Sequence, residues 1–131
     1  MKAKYFFYLL FLILPIHSFG QTIKMFSKKV NTSIKTDFYL NPIQPADRIN
    51  ARADFYYDKT LNSGVIIVYD LAHRQQYKYF VNQMSTNVVK GLKVYYFKTT
   101  DKKYKISLSK EENGFAIASY SERVLTVYRN E

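Results

Sequence analysis

Residues 93 to 110, KVYYFKTTDKKYKISLSK, hold six lysines, three tyrosines and a single acid, Asp101. Ammonium groups interleaved with aromatic rings do one kind of chemistry well: they hold anions while the rings offer a flat apolar contact. The candidate residues are Lys98, Lys103 and Lys105 with Tyr95 and Tyr96. An acidic envelope polymer, a lipid headgroup or an envelope partner protein would each fit such a surface. The competing reading is a solvated hairpin, because lysine on an exposed strand discourages edge-to-edge pairing and its stem covers neighbouring rings.

Groups for covalent or metal chemistry are scarce. The chain has no cysteine, so thiolate ligands and disulfides are absent. Its two histidines are His17 and His73. His17 falls in the leader described below, so a zinc site or a serine nucleophile would have to rely on His73 alone. His73 lies in the polar stretch DLAHRQQ beside Arg74, where an exposed loop histidine is the simpler expectation. Asp54 and Asp58 share one face of an alternating segment, about 13 Å apart by strand rise. That separation exceeds what paired-carboxylate glycoside hydrolysis uses, and Arg52 on the same face makes an ion pair the simpler role for Asp54. Asp58, Thr60 and Asn62 alternate in DKTLNSG, but no acid closes that loop as a calcium site requires. No glycine-rich phosphate loop or nucleophile elbow is present. The sequence therefore predicts no catalytic, cofactor or metal site, and no nucleic-acid partner, since no nucleic-acid-binding motif is present.

The elements that must carry these residues read as strands. Thr32, Ile34, Thr36, Phe38 and Leu40 alternate with Ser33, Lys35, Asp37 and Tyr39. Ile49, Ala51, Ala53, Phe55 and Tyr57 alternate with Asn50, Arg52, Asp54, Tyr56 and Asp58. This period of two places the sets on opposite faces of a sheet. NPIQPAD joins the two segments, with Pro42 and Pro45 unable to donate to a ladder. VIIVY at 65–69 is apolar on both faces, and YKYFV follows at 77–81. Residues 83–90, QMSTNVVK, suit a short helix or a long loop. Further strands are expected over 92–98, 103–109, 115–120 and 123–129. EENG at 111–114 is a hairpin loop in which Gly114 can take a left-handed conformation.

Seven to eight antiparallel strands with little helix result, making an all-β domain: a small up-and-down barrel or a two-sheet sandwich. Register within 93–108 decides the lysine surface. A turn with Thr100 and Asp101 unpaired sets Tyr95 and Phe97 with Tyr104, Ile106 and Leu108, leaving Val94, Tyr96 and Lys98 among the lysines. One more turn residue reverses this, because a single slip moves every side chain to the other face.

Residues 1–20 read as a cleavable secretory leader. Lys2 and Lys4 precede the uncharged run YFFYLLFLILPI, then HSFG ends in small residues before Gln21. A membrane-spanning helix would need about 20 apolar residues, and no other segment is apolar for long enough. Cleavage after Gly20 would leave 21–131 as one domain without a transmembrane segment, carrying 18 basic and 10 acidic residues, and would allow Gln21 to cyclise. Export without cysteine fits a bacterial periplasm or the surrounding medium.

The functional expectation is an exported small β-module that binds or interacts and does not catalyse. Its alternative is a lipocalin-like carrier, with a small apolar ligand in a lumen where small residues (Ala51, Ala53, Ala116, Ala118) leave room.

Overall fold

The structure, a computed structural model, describes residues 24–112 and 114–131. The expected leader and the Gln21 terminus lie outside the described residues. Eight strands follow in order: β1 (Lys24–Thr36), β2 (Asp47–Asp58), β3 (Ser63–Asp70), β4 (Gln75–Val89), β5 (Leu92–Thr99), β6 (Tyr104–Ser109), β7 (Gly114–Ser119) and β8 (Val124–Arg129). Each pairs antiparallel with the next, and β8 returns to β1 through Thr32↔Arg129 to Thr36↔Leu125. That seam decides between the two expected architectures: the sheet closes into an up-and-down barrel. No helix occurs among the described residues.

Two segments differ from the sequence expectation. Residues 83–89 are strand, the outer half of β4, paired with β5 from Gln83↔Lys98 to Val89↔Leu92. Their alternation is short and easily missed: Met84 and Val88 alternate with Gln83, Ser85 and Asn87, but Thr86 stands between the two apolar residues and Val89 falls out of phase. An extra residue, Asn82, between the pairs Val81↔Thr99 and Gln83↔Lys98 also shifts their phase against 77–81. The first strand begins at Lys24 and stops at Thr36 instead of running to Leu40. Asp37 ends it: its Oδ1 accepts the backbone N–H groups of Tyr39 and Asn41, both at 2.9 Å. This side-chain cap competes with the ladder, and Leu40 then takes a left-handed φ of 68°.

The lumen is filled by side chains. Ala53, Phe55, Ile66, Phe97 and Ile106 are fully buried, with Val81, Leu108, Phe115 and Ile117 close to it. Phe55 meets Phe97 at a centroid distance of 5.9 Å and Phe115 at 5.6 Å, and Tyr57 meets Phe97 at 5.9 Å. These rings come from three different strands, β2, β5 and β7, so they tie separate parts of the wall together, each burial contributing roughly 1.5–3 kcal/mol. Tyr79 packs edge-on to Tyr104 at 5.3 Å, and its burial pushes the phenol up to about 12. Lys28 pairs with Ala53 on the inner side of β1 and donates from Nζ to the carbonyls of Lys110 and Glu112, each at 2.8 Å. Burial lowers the pKa of that ammonium.

Two of the four small residues expected to line the lumen do not. Ala116 and Ala118 pair with Ser107 and Lys105 and alternate with buried Phe115 and Ile117, so they face outward. Gly114 opens β7 without a left-handed φ. Its role is close approach, because a Cβ there would stand 2.3 Å from the Tyr128 carbonyl oxygen.

Phe97→Ala empties the middle of the lumen. It should destabilise the barrel by about 3–5 kcal/mol, the usual cost of removing a fully buried ring. Urea unfolding followed by tyrosine fluorescence reads this as a lower midpoint.

Candidate functional site

The turn between β5 and β6 sets the lysine surface. Lys98 pairs with Lys105, Phe97 with Ile106 and Tyr95 with Leu108. Thr100 to Lys103 form a four-residue loop. This is longer than the two-residue turn considered above but equally even, so the parity is the same. Thr99 Oγ organises it, donating to Asp101 Oδ1 at 2.6 Å and accepting from the Tyr104 N–H at 3.1 Å. The Lys103 N–H donates to the same Asp101 oxygen at 3.0 Å. The Thr99 hydroxyl first, and the Lys103 amide second, hold the Asp101 carboxyl below the ordinary carboxylate range.

This geometry divides the candidate residues. Lys98, Lys105 and Tyr96 stand together on the outer wall. Lys105 Nζ lies 4.7 Å from the centre of the Tyr96 ring, a cation–π contact. Lys103 is exposed at the turn. Tyr95 goes the other way: it shares the inner face with buried Phe97 and packs 5.1 Å from Phe26, with Lys93 Nζ 5.2 Å from its ring centre. Adjacent in sequence, the two tyrosines serve opposite sides of the wall.

Two hollows border the lysines. One of about 300 Å³ lies among Asn82, Gln83, Lys98, Lys102, Tyr104 and Tyr120. A second, shallower one of about 480 Å³ shares Asn82, Gln83 and Lys98 and extends along Ser85 and Tyr96. Both exist because the Asn82 bulge bends β4 beside Lys98. On the other side, Lys105 and Ser107 face Ala118 and Ala116, whose small side chains leave the wall low. Sequence reasoning missed Asn82, Gln83 and Tyr120. Nothing local marks the bulge, and Tyr120 arrives from a separate turn. Lys102 was visible only as one of six lysines.

Lys98 and Lys105 are direct cross-strand neighbours, and like charges so placed oppose each other. Among the described residues neither makes an ion pair with an acid; those seen are Arg52–Asp54, His73–Asp70 and Arg129–Glu131. Two amide side chains, two lysines and two phenols around a hollow can donate hydrogen bonds to carboxylate or phosphate oxygens.

The carboxylates are used structurally. Asp54 is buried, accepts from Ser27 Oγ at 2.6 Å and lies 3.5 Å from Arg52 Nε. Asp58 Oδ1 accepts the Thr60 N–H at 2.9 Å and caps the β2–β3 turn. His73 is exposed, with Nδ1 2.8 Å from Asp70 Oδ2. That hydrogen bond is the main reason the Asp70 pKa is lowered. Among the described residues, no three His, Cys, Asp or Glu side chains gather in a way that could hold a metal ion.

Two outcomes test this geometry. Lys98→Glu turns the opposed pair into an attractive one and should raise stability by roughly 0.2–1 kcal/mol in low salt, read as a higher thermal midpoint. Asp101 contributes stability that is present above the ordinary carboxylate pKa, about 4, and lost as pH falls through its lowered folded value. Asp101→Asn should therefore be less stable at neutral pH and lose less on acidification, seen as a shallower acid limb in a series of unfolding curves. Comparison of the chain with protein-family models, with curated proteins and with solved structures gave no match, so the function is argued from the site.

Proposed function

We propose that this chain is an exported binding module, not an enzyme, and that its outer wall at β4–β6 holds carboxylate or phosphate groups of an anionic envelope polymer. The carrying observation is the opposed pair Lys98 and Lys105 beside the Tyr96 ring and the amide-lined hollow. Two like charges in direct register cost stability, and an anion between them converts that cost into attraction. Tyr96 supplies a flat surface for the polymer between its charged groups. Net charge adds long-range attraction: the formal charge is +10 over the full sequence. The ring-filled lumen favours this wall over the internal cavity of a lipocalin-like carrier. The leader read in residues 1–20 supports a periplasmic or extracellular setting.

The test compares two double variants of equal charge on a column bearing an acidic polysaccharide. Lys98→Gln with Lys105→Gln should elute at clearly lower salt than the parent chain. Lys59→Gln with Lys90→Gln removes the same charge from exposed turns elsewhere and should elute close to the parent. Equal shifts in both would mean that net charge alone drives retention, and the assigned wall would fall. The salt dependence itself should be steep, because exposed charge pairs are screened over about 10 Å at 0.1 M.

A further inference from the structure

The barrel is closed, yet β4 is longer than its neighbour on one side. β3 pairs with β4 only from Asp70↔Gln75 to Gly64↔Val81. Beyond the Asn82 bulge, Gln83 to Val89 pair with β5 on one edge. Among the described residues no strand pairs with the other edge; there the Val88 N–H donates to Asn87 Oδ1 at 2.8 Å, a side-chain contact that an incoming strand would displace. Every residue from 85 to 89 is exposed, Val88 at 67%. A strand with an open edge carries a row of unpaired N–H and C=O groups and invites another strand. Natural sheets usually block such edges with lysine, proline or acids. This edge, QMSTNVV, has none of them, although the chain as a whole is strongly basic.

We infer that residues 83–89 of β4 pair antiparallel with the same segment of a second copy of this chain, about a twofold axis at Thr86. The sequence is self-complementary in that register. Thr86 meets Thr86, Met84 meets Val88, Ser85 meets Asn87 and Gln83 meets Val89. The register that β4 keeps with β5 puts Met84, Thr86 and Val88 on the face shared by Phe97 and Tyr95. The twofold therefore sets apolar Met84 and Val88 against each other on one face, with a threonine pair between them. Ser85 and Asn87 pair on the opposite face. Such cross-strand pairs are the unit of sheet stabilisation. Lys90, the nearest cation, would stand opposite Asn82 of the second copy, so two basic molecules meet without opposed charges. A partner strand of another protein would find the same backbone, but the symmetric placement of Met84 and Val88 about Thr86 singles out a second copy. Because the twofold is perpendicular to the sheet, both Lys98–Lys105 walls would face the same side.

Analytical ultracentrifugation over a concentration series tests this with the purified chain, Thr86→Lys and Thr86→Glu. The parent chain should show a concentration-dependent dimer. Each variant alone places like charges on the axis and should be monomeric at every concentration, while an equimolar mixture of the two should dimerise again. A parent chain that stays monomeric up to its solubility limit, or a Thr86→Lys chain that dimerises like the parent, would overturn the inference. Should either charged variant lose its near-ultraviolet circular dichroism, Thr86→Cys provides the second readout. Directly opposite residues stand about 4.5–5.5 Å apart, within disulfide reach. In a chain free of cysteine, mild oxidation should give a covalent dimer from Thr86→Cys and none from Thr60→Cys at the exposed β2–β3 turn. Absence of that dimer, or equal cross-linking of both, would also overturn it.

Discussion

Everything on this molecule depends on pleat parity in a closed sheet. Once β8 pairs with β1, each strand residue is committed to the lumen or to the outside. The lumen accepts only what packs against the rings of Phe55, Phe97 and Phe115. Those buried rings set the register of β5 against β6, and the even loop Thr100–Lys103 preserves it. The same constraint pushes Lys98, Tyr96 and Lys105 out together. The lysine-bearing wall is thus a by-product of core packing: Phe97 and Ile106 point in, so their neighbours must point out.

A single inserted residue breaks this regularity where it matters. Asn82 shifts the register of β4 against β5 and bends the strand where hollows lie beside Lys98. The pairing of β4 with β3 stops at the same level, because β3 itself begins at Ser63, and the edge of residues 83–89 lies beyond it. Bulges often occur beside functional sites because they re-aim side chains and terminate ladders at small energetic cost. Here one bulge links the proposed polymer site to the proposed self-association edge. A dimer built on that edge would present two lysine walls on one side, and two linked sites hold a repeating polymer far more tightly than one.

The turns show how local chemistry supports the closed sheet. Asp37, Asp58, Asp70 and Asp101 each accept backbone N–H groups at or next to the end of a strand. Half or more of the chain's acids are accounted for by such caps and by Asp54, Glu131 and their partners. The lysines of the outer wall are left facing solvent, which is why a basic face survives in a chain that also carries carboxylates.

The sequence alone determined the class. Period-two alternation at 49–58, the apolar run at 65–69 and the turn residues between segments depend only on local backbone geometry and on which side chains avoid water. They were legible without contacts. It also placed Lys98, Lys105 and Tyr96 in one cationic, aromatic stretch, and it separated Asp54 and Asp58 into structural roles. Tertiary structure decided the rest. Barrel or sandwich turned on whether β8 meets β1, a contact between residues about a hundred positions apart. Tyr95 and Tyr96 parted because packing against Phe26 and Leu108, not their own identity, chose the face of each. Ala116 and Ala118 went outward for the same reason, through their pairing with Ser107 and Lys105. The strand at 83–89 alternates over too few residues to declare a period, with Thr86 between Met84 and Val88 and Val89 out of phase. It forms because β5 supplies its hydrogen bonds, and backbone pairing across strands leaves no mark in the residues that receive it.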